Sequence, residues 1–172
     1  RLELRELLRE ALERNPDIEV DVKASIALTD FTKDEVDLAI RYGSGDYPGL
    51  IVELLLEDRM FPVCSPELLM RFGQRNPARV FTEAPLLHDV SVDRDPAVPS
   101  WKMWLKASGL EDIDWRKGPR FNQTALALDA ALAGLGIALA PAALVATDLA
   151  AGRLVRLANE EWKGDFAYYL VH

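Results

Sequence analysis

The residue types that could carry out catalysis are few in this sequence, and none has the neighbours that a catalytic group needs. The single cysteine, Cys64, lies within Pro62-Val-Cys-Ser-Pro66, where we expect a small buried hydrophobic side chain. His88 follows Leu86-Leu87 and precedes Asp89, a setting that favours a structural histidine over a catalytic one. The Gly-x-Ser-x-Gly pattern is absent, so no activated nucleophile is expected. The sequence therefore predicts a protein that is not an enzyme.

Cofactor and metal sites are equally unsupported by the sequence. One cysteine and two histidines argue against a zinc site and against an internal disulfide. No phosphate-binding loop is present, and Gly134-Leu-Gly136 follows a predicted helix, whereas a nucleotide fingerprint precedes one. The pair Glu160-Glu161 falls in a charged loop and is predicted to be solvated. We expect no cofactor and no metal ion.

The sequence offers better candidates for a ligand-binding site than for a catalytic site. In an open α/β sheet, ligands bind where strands end and helices begin, because free backbone N–H groups converge there. Polar or aromatic residues stand at such positions in the pairs Ala24-Ser25, Arg41-Tyr42 and Ser100-Trp101 and in the triplet Asn122-Gln123-Thr124. Ser100 and Thr124 could equally cap helices. Tyr42, Trp101, Trp104 and Tyr168 could equally be core residues.

The elements that must position these residues follow from hydrophobic periodicity. A helix is predicted over residues 2–14, ended by Asn15-Pro16, and Asp30 can cap a short helix. Strands are predicted at residues 18–22, 36–42, 50–56, 60–64, 86–88, 154–157 and 166–171. Ser65 and Ser100 are predicted to start helices, the second ending at Gly109. Residues 73–99 are otherwise a long connection.

The best-defined unit is residues 119–141, which predict a strand, a helix from about Thr124 to Ala133, and a second buried strand. Helices that alternate with apolar strands predict an α/β fold with a mostly parallel sheet. A length of 172 residues allows one domain or two small lobes. The apolar run from Ala125 to Val145 is broken by Asp129, Gly134 and Pro141, so no membrane span is expected.

Several runs, taken in order, resemble the effector-binding domain of LysR-type transcriptional regulators, in the branch of the glycine-cleavage activator and the β-lactamase-induction regulator. The runs are VDLAIRYGSGDYPGL (36–50), FPVCSPELL (61–69), PSWKMWLKASGL (99–110), GPRFNQTALALDAALAGLGIALAP (118–141), LAAGRLVRL (149–157) and FAYYLV (166–171). The resemblance implies two Rossmann-like lobes joined by crossing strands, like a type 2 periplasmic binding protein.

The same resemblance implies a division of the chain and a set of partners. Lobe I would comprise residues 1–60 and lack its first strand and its C-terminal helix, lobe II residues 61–165, and residues 166–172 would form a strand crossing back. A helix-turn-helix domain upstream would contact DNA, and homodimers or tetramers are implied. The free Cys64 by itself favours a reducing compartment, so the cytoplasm is expected. With 28 acidic and 20 basic residues, the net charge of −8 agrees with DNA contact lying elsewhere.

A small-molecule effector is implied between the lobes. Carried over by position, its site would be lined by Ser25, Tyr42, Ser100, Trp101, Asn122, Gln123, Thr124 and Tyr168. Relatives of this branch often have Asp-Ser-Ser where this chain has Asn122-Gln123-Thr124, which removes a negative charge. A helix N-terminus with hydroxyl and amide groups suits a carboxylate or a polar carbonyl. The alternative is an extracytoplasmic solute-binding protein of a transporter.

Overall fold

The computed structural model describes residues 9–23, 25, 29–73, 78–90, 100–159, 161–162 and 166–172, and its strands form two sheets. The strands are β1 (Ala39–Gly43), β2 (Val52–Glu57), β3 (Met60–Cys64), β4 (Leu86–Asp89), β5 (Arg120–Phe121), β6 (Ile137–Pro141), β7 (Val155–Arg156) and β8 (Ala167–Val171). The helices are α1 (residues 9–14), α2 (Pro66–Gly73), α3 (Ala78–Glu83), α4 (Trp101–Ala107), α5 (Thr124–Leu132) and α6 (Ala142–Ala150). Residues 2–8 of the helix predicted at the N-terminus lie outside the described residues.

The smaller sheet has three strands in the order β1-β8-β2, and β8 is antiparallel to both neighbours. Tyr42 of β1 pairs with Tyr168 of β8, and Ala167 pairs with both Gly43 and Glu57. The central strand therefore comes from the end of the chain, while its two partners come from the first third. This sheet forms only when distant parts of the chain meet.

The larger sheet has five strands in the order β5-β4-β6-β3-β7. Strand β4 is parallel to β5 and β6, whereas β3 is antiparallel to β6 and β7. The prediction of a mostly parallel sheet is therefore wrong. Strand β3 follows β2 of the smaller sheet after a link of only two residues. It therefore enters the larger sheet at the end where β6 finishes, so β3 and β6 run in opposite directions.

Burial on both faces of the larger sheet explains its apolar strands. Every residue of β3 is buried, and Val63 and Cys64 are among the residues with no exposed surface. One core cluster includes Phe61 and Val145, and a second surrounds Trp104. The first cluster holds α5 and α6 against the sheet, and the second holds α2, α3 and α4 against it.

The predicted helix starts are confirmed by their caps. The Ser65 hydroxyl accepts a hydrogen bond from the Leu68 N–H at 3.2 Å. The Ser100 hydroxyl accepts one from the Met103 N–H at 3.4 Å, and α4 ends before Gly109, which has a φ of +70°. The strand–helix–strand unit is present, although β4 lies between β5 and β6.

Three predictions of local structure are wrong. Residues 18–22 form no strand, and the side chains of Ile18, Val20 and Val22 are 56%, 44% and 64% exposed. Alternating hydrophobicity shows which face a strand would bury, but a strand also needs a partner, and no strand in the described part of the chain pairs with this segment. Asp30 starts a turn over residues 31–34 instead of a helix, and α3 lies in the segment predicted as a connection. No helix among the described residues is long and apolar enough to cross a membrane.

Gly118 and Gly109 offer a matched test of backbone packing, because both have a positive φ. A Cβ atom at Gly118 would lie 1.9 Å from the Leu86 carbonyl oxygen, whereas one at Gly109 would meet nothing within 4 Å. We expect Gly109→Ala to lower the free energy of unfolding by about 1 kcal/mol and Gly118→Ala by more than about 3 kcal/mol. Urea unfolding measures both values, and equal losses would contradict the close approach at Gly118.

Candidate functional site

The ends of the parallel strands and the link between the sheets lie at the same edge of the larger sheet. Strands β4 and β5 end side by side, where Asp89 pairs with Phe121. Strand β6 ends at Pro141, which pairs with Met60 at the start of β3. Residues 58–59, which join the sheets, therefore lie at the edge where ligands bind in open α/β sheets.

The first group at this edge is Asn122-Gln123-Thr124, directly after β5. Asn122 and Gln123 are exposed, and Gln123 is the N-cap of α5 but makes no side-chain capping bond. The half-buried Thr124 hydroxyl donates a hydrogen bond to the carboxylate of Asp89 at the end of β4. Two exposed amides thus stand beside a threonine whose hydroxyl is already paired with a carboxylate.

The second group lies on the smaller sheet. The rings of Tyr42 and Tyr168 are directly opposite on neighbouring strands, with centroids 4.9 Å apart. Phe166 meets Tyr42 edge-on at 5.6 Å. Both tyrosines are half-buried, and the next pair along, Gly43 with Ala167, lies level with Glu57, the last residue of β2 before the link. The structure therefore brings this predicted pair together at the end of the sheet that adjoins the larger one.

A buried carboxylate lies behind the tyrosine pair. Asp58 is 4% exposed, and burial raises its pKa, against the opposing effects of the Arg59 N–H and the Tyr42 hydroxyl. Burial, and then the charge of Asp58, raises the pKa of Tyr168 to about 12 and raises that of Tyr42 further. Both phenols are therefore neutral near pH 7 and can donate and accept hydrogen bonds.

The remaining predicted residues are placed differently. Trp101 is 4% exposed, and its Nε1–H donates to the Leu87 carbonyl oxygen at 2.9 Å, so its ring packs in the core beneath the cap of α4. Ser100 is half-buried and caps α4. Ser25 is exposed, and its neighbours Ala24 and residues 26–28 lie outside the described residues.

Sequence reasoning missed Asp58 and Asp89. Asp89 directly follows the buried residues Leu86 to His88, so the rule applied to the other strand ends would have found it. Asp58 stands between two apolar strands without glycine or proline nearby, a pattern that resembles an ordinary tight connection. Its burial is a property of the tertiary structure.

The residues considered for catalysis occupy structural positions. Cys64 has no exposed surface, and burial raises the pKa of its thiol to about 12, so the thiolate is not available near neutral pH. His88 is buried in β4, where its backbone N–H donates to the Pro119 oxygen at 2.9 Å. Glu161 is exposed but paired, with Arg59 at 2.9 Å and Arg156 at 2.6 Å, while Glu160 lies outside the described residues.

Comparison with known sequences identifies the family. Residues 3–172 match the family described as LysR substrate binding domain. The glycine cleavage system transcriptional activator of Escherichia coli (strain K12) is 38% identical over 156 residues, which cover 91% of this chain and 49% of that protein. The HTH-type transcriptional activator AmpR of Citrobacter koseri is 30% identical over 158 residues, which cover 92% of this chain and 51% of that protein. The chain thus spans about half the length of the curated relatives it matches.

Solved structures agree with this result. The effector domain of AmpR from Pseudomonas aeruginosa superposes with a TM-score of 0.76 at 28% identity, covering 98% of this chain and 77% of that one. The AmpR effector binding domain from Citrobacter freundii gives a TM-score of 0.77 at 26% identity, covering 98% and 80%.

The chain belongs to the LysR substrate binding domain family and is the effector-binding domain of a LysR-type transcriptional regulator. It has the fold of those domains, which is like that of type 2 periplasmic binding proteins. The family is a regulatory, ligand-binding one and not a family of enzymes. The relatives are transcription regulators, so the alternative of a transporter's solute-binding protein is wrong.

Trp101 provides a test of the core position of its indole ring. We expect Trp101→Phe, which leaves the Leu87 carbonyl oxygen without its indole donor, to lower the free energy of unfolding by about 1–3 kcal/mol. Trp101→Ala also removes the packed ring and should cost about 3–5 kcal/mol. Lys102→Ala, on the exposed side of the same helix, is the control. Urea unfolding that shows Trp101→Ala to be as stable as the control would contradict a core role.

The raised pKa of Asp58 predicts a pH dependence of stability. Between about pH 4 and the raised pKa, the folded chain binds a proton at Asp58 that the unfolded chain has lost. The free energy of unfolding therefore falls as the pH rises through this window. The groups that face Asp58 are the Tyr42 and Tyr168 hydroxyls and the backbone N–H groups of Arg59 and Ala142, and the tyrosines stay neutral there. Asp58→Asn should flatten this slope, and parallel pH profiles for the two chains would refute the assignment.

Proposed function

We propose that this chain senses a small-molecule effector bound between its two lobes and thereby controls transcription. The observation that supports this proposal is the topology of the larger sheet, whose ligand-binding edge is also the place where the smaller sheet is attached. The lobes of the proposal are residues 1–60 and 61–165, with residues 166–172 as the strand that crosses back. A ligand that favours one orientation of the lobes shifts the population toward it.

In this proposal the effector contacts side chains from both sheets. Asn122 and Gln123 supply exposed amide groups on the larger sheet, and Tyr42 and Tyr168 supply neutral hydroxyls on the smaller one. Ser25, Ser100 and Thr124 complete the polar lining. Trp101 is buried beneath this lining and supports it, because its ring holds the start of α4 against β4.

We propose that the effector carries a carboxylate, which the Asn122 and Gln123 amides and the first turn of α5 would bind. The carboxylate of Asp89 opposes this preference, because it lies at the Thr124 hydroxyl and repels an anion. An anionic effector therefore fits nearer to the exposed amides than to Thr124. An effector with an ammonium or hydroxyl donor would instead make Asp89 its partner.

The wider regulator is inferred from the relatives. They are HTH-type and activator proteins about twice the length of this chain, so we assign DNA contact to a helix-turn-helix domain outside it. The net charge of −8 suits a domain that does not itself grip phosphates. We further propose that the regulator works in the cytoplasm, away from the membrane, as a homodimer or tetramer.

Thermal shift with matched ligands tests the site. The probes are N-acetylglycine, succinate and acetate, each paired with its neutral amide: N-acetylglycinamide, succinamide and acetamide. At 100 times its dissociation constant, a bound acid should stabilise the chain by about 2.7 kcal/mol, and its amide should do less. Asn122→Ala should weaken binding of the acid. Asp89→Asn should strengthen it roughly fivefold, because one like charge at short range is removed.

Asp112→Asn, the same change at an exposed position, should leave the affinity unaltered. If Asp89→Asn weakens binding, Asp89 accepts a hydrogen bond from the ligand and the carboxylate assignment is wrong. If Asn122→Ala and Thr124→Val both leave the ligand response intact, the effector does not bind at the start of α5.

A further inference from the structure

The connection between the two sheets is short. Strand β2 ends at Glu57 and β3 begins at Met60, so only Asp58 and Arg59 lie between them. Trp162, on the way back to β8, pairs with Met60 through backbone hydrogen bonds of 2.9 Å and 3.0 Å. The outgoing and returning segments thus lie side by side, which limits the motion that the sheets can make relative to each other.

Asp58 is the buried charged group at this connection. One of its oxygens, Oδ1, accepts a hydrogen bond from the Arg59 N–H at 2.8 Å. The other, Oδ2, is buried and makes no well-aligned hydrogen bond among the residues that the structure describes. A buried carboxylate lowers stability unless nearby groups compensate for it, so its presence in a two-residue link calls for a role.

The groups around Asp58 come from both sheets. On one side the Tyr42 hydroxyl faces its carboxylate, and the Tyr42 ring packs at a tilt of 45° against Tyr168 on the central strand of the smaller sheet. On the other side is the N-terminus of α6, where the Ala142 N–H donates to the Arg59 oxygen at 2.8 Å and favours the charge of Asp58. Pro141, the N-cap of α6, supplies no side-chain capping bond, and a carboxylate near a helix N-terminus is favoured by the helix dipole.

We infer that Asp58 sets the angle between the two sheets, its carboxylate joining the Tyr42–Tyr168 pair of the smaller sheet to the first turn of α6 on the larger one. Asp58 is thus a positioning residue that acts through Tyr42 and α6. A ligand that touched either tyrosine would act on this joint. The inference is independent of the proposed function, because it rests only on contacts within the chain.

A second set of contacts crosses the same region but is less able to hold the angle. Glu161 pairs with Arg59 and Arg156 at the surface, and the side chains of Arg59 and Glu161 are 50% and 29% exposed. Exposed ion pairs contribute little, since water and salt screen them. The buried carboxylate therefore has the larger effect on the geometry of the joint, and Glu161 serves as its matched control.

The distance between spin labels on the two sheets tests this inference without an effector. Ser44→Cys in the loop after β1 and Ala146→Cys on α6 place labels on exposed sites of the smaller and larger sheet. Native Cys64 has no exposed surface and stays unlabelled in the folded chain. Pulsed electron resonance then gives the distribution of distances between the labels.

We expect Asp58→Ala to shift the distribution or broaden it to about twice its original width, because the joint can then sample more orientations. Asp58→Asn and Tyr42→Phe should each have a smaller effect in the same direction. Their double variant should go no further than the larger single effect, because both changes break one contact. Glu161→Gln should leave the distribution unchanged.

Val63→Ala separates positioning from general destabilisation. Val63 is fully buried in β3, so this variant lowers the melting temperature without touching the joint, and its distribution should match that of the original chain. Unchanged distributions for Asp58→Asn and Tyr42→Phe would overturn the inference even if Asp58→Ala fails to fold. Equal broadening by Val63→Ala would overturn it as well, since the effect would then follow stability alone.

Discussion

The pairing of β8 between β1 and β2 is the constraint on which the rest of the structure depends. It joins the last residues of the chain to strands formed more than a hundred residues earlier, and it makes the smaller sheet possible. Because β8 must return to this sheet, the chain crosses twice between the sheets, once at Asp58-Arg59 and once after Trp162. The same pairing places Tyr168 opposite Tyr42. The candidate site, the joint at Asp58 and the fold thus all depend on the pairing of β8 with β1 and β2.

The electrostatic character of the site follows from where its carboxylates lie. Asp89 stands at the end of a central strand and accepts from Thr124, so the start of α5 already has a negative neighbour. Asp58 is withdrawn behind the tyrosines, where burial keeps both phenols neutral and raises its own pKa. In the proposed site, the exposed amides of Asn122 and Gln123 are the groups assigned to an acidic ligand. The proposed ligand-facing surface is thus separate from the buried carboxylate behind it.

Local structure was predictable wherever a short segment carries its own signal. Ser65 and Ser100 begin helices because their hydroxyls accept from N–H groups three residues on, and β3 is apolar because both of its faces are buried. Residues 18–22 failed because a strand pattern cannot supply a partner, and Ile18 and Val22 are consequently more than half exposed. Trp101 shows the same limit of prediction from a local pattern, because an aromatic ring beside a helix cap is typical of both a core and a binding site.

The sequence by itself determined the family, the helix starts at Ser65 and Ser100 and the strand–helix–strand unit around Thr124, because each depends on residue types at fixed short spacings. Only the tertiary structure decided the direction of β3, the place of β4 between β5 and β6, and the meeting of Tyr42 with Tyr168. It also decided that Asp58 is buried. These features depend on which distant segments pair, and the free energy of that pairing comes from contacts across the whole chain, which no local pattern records.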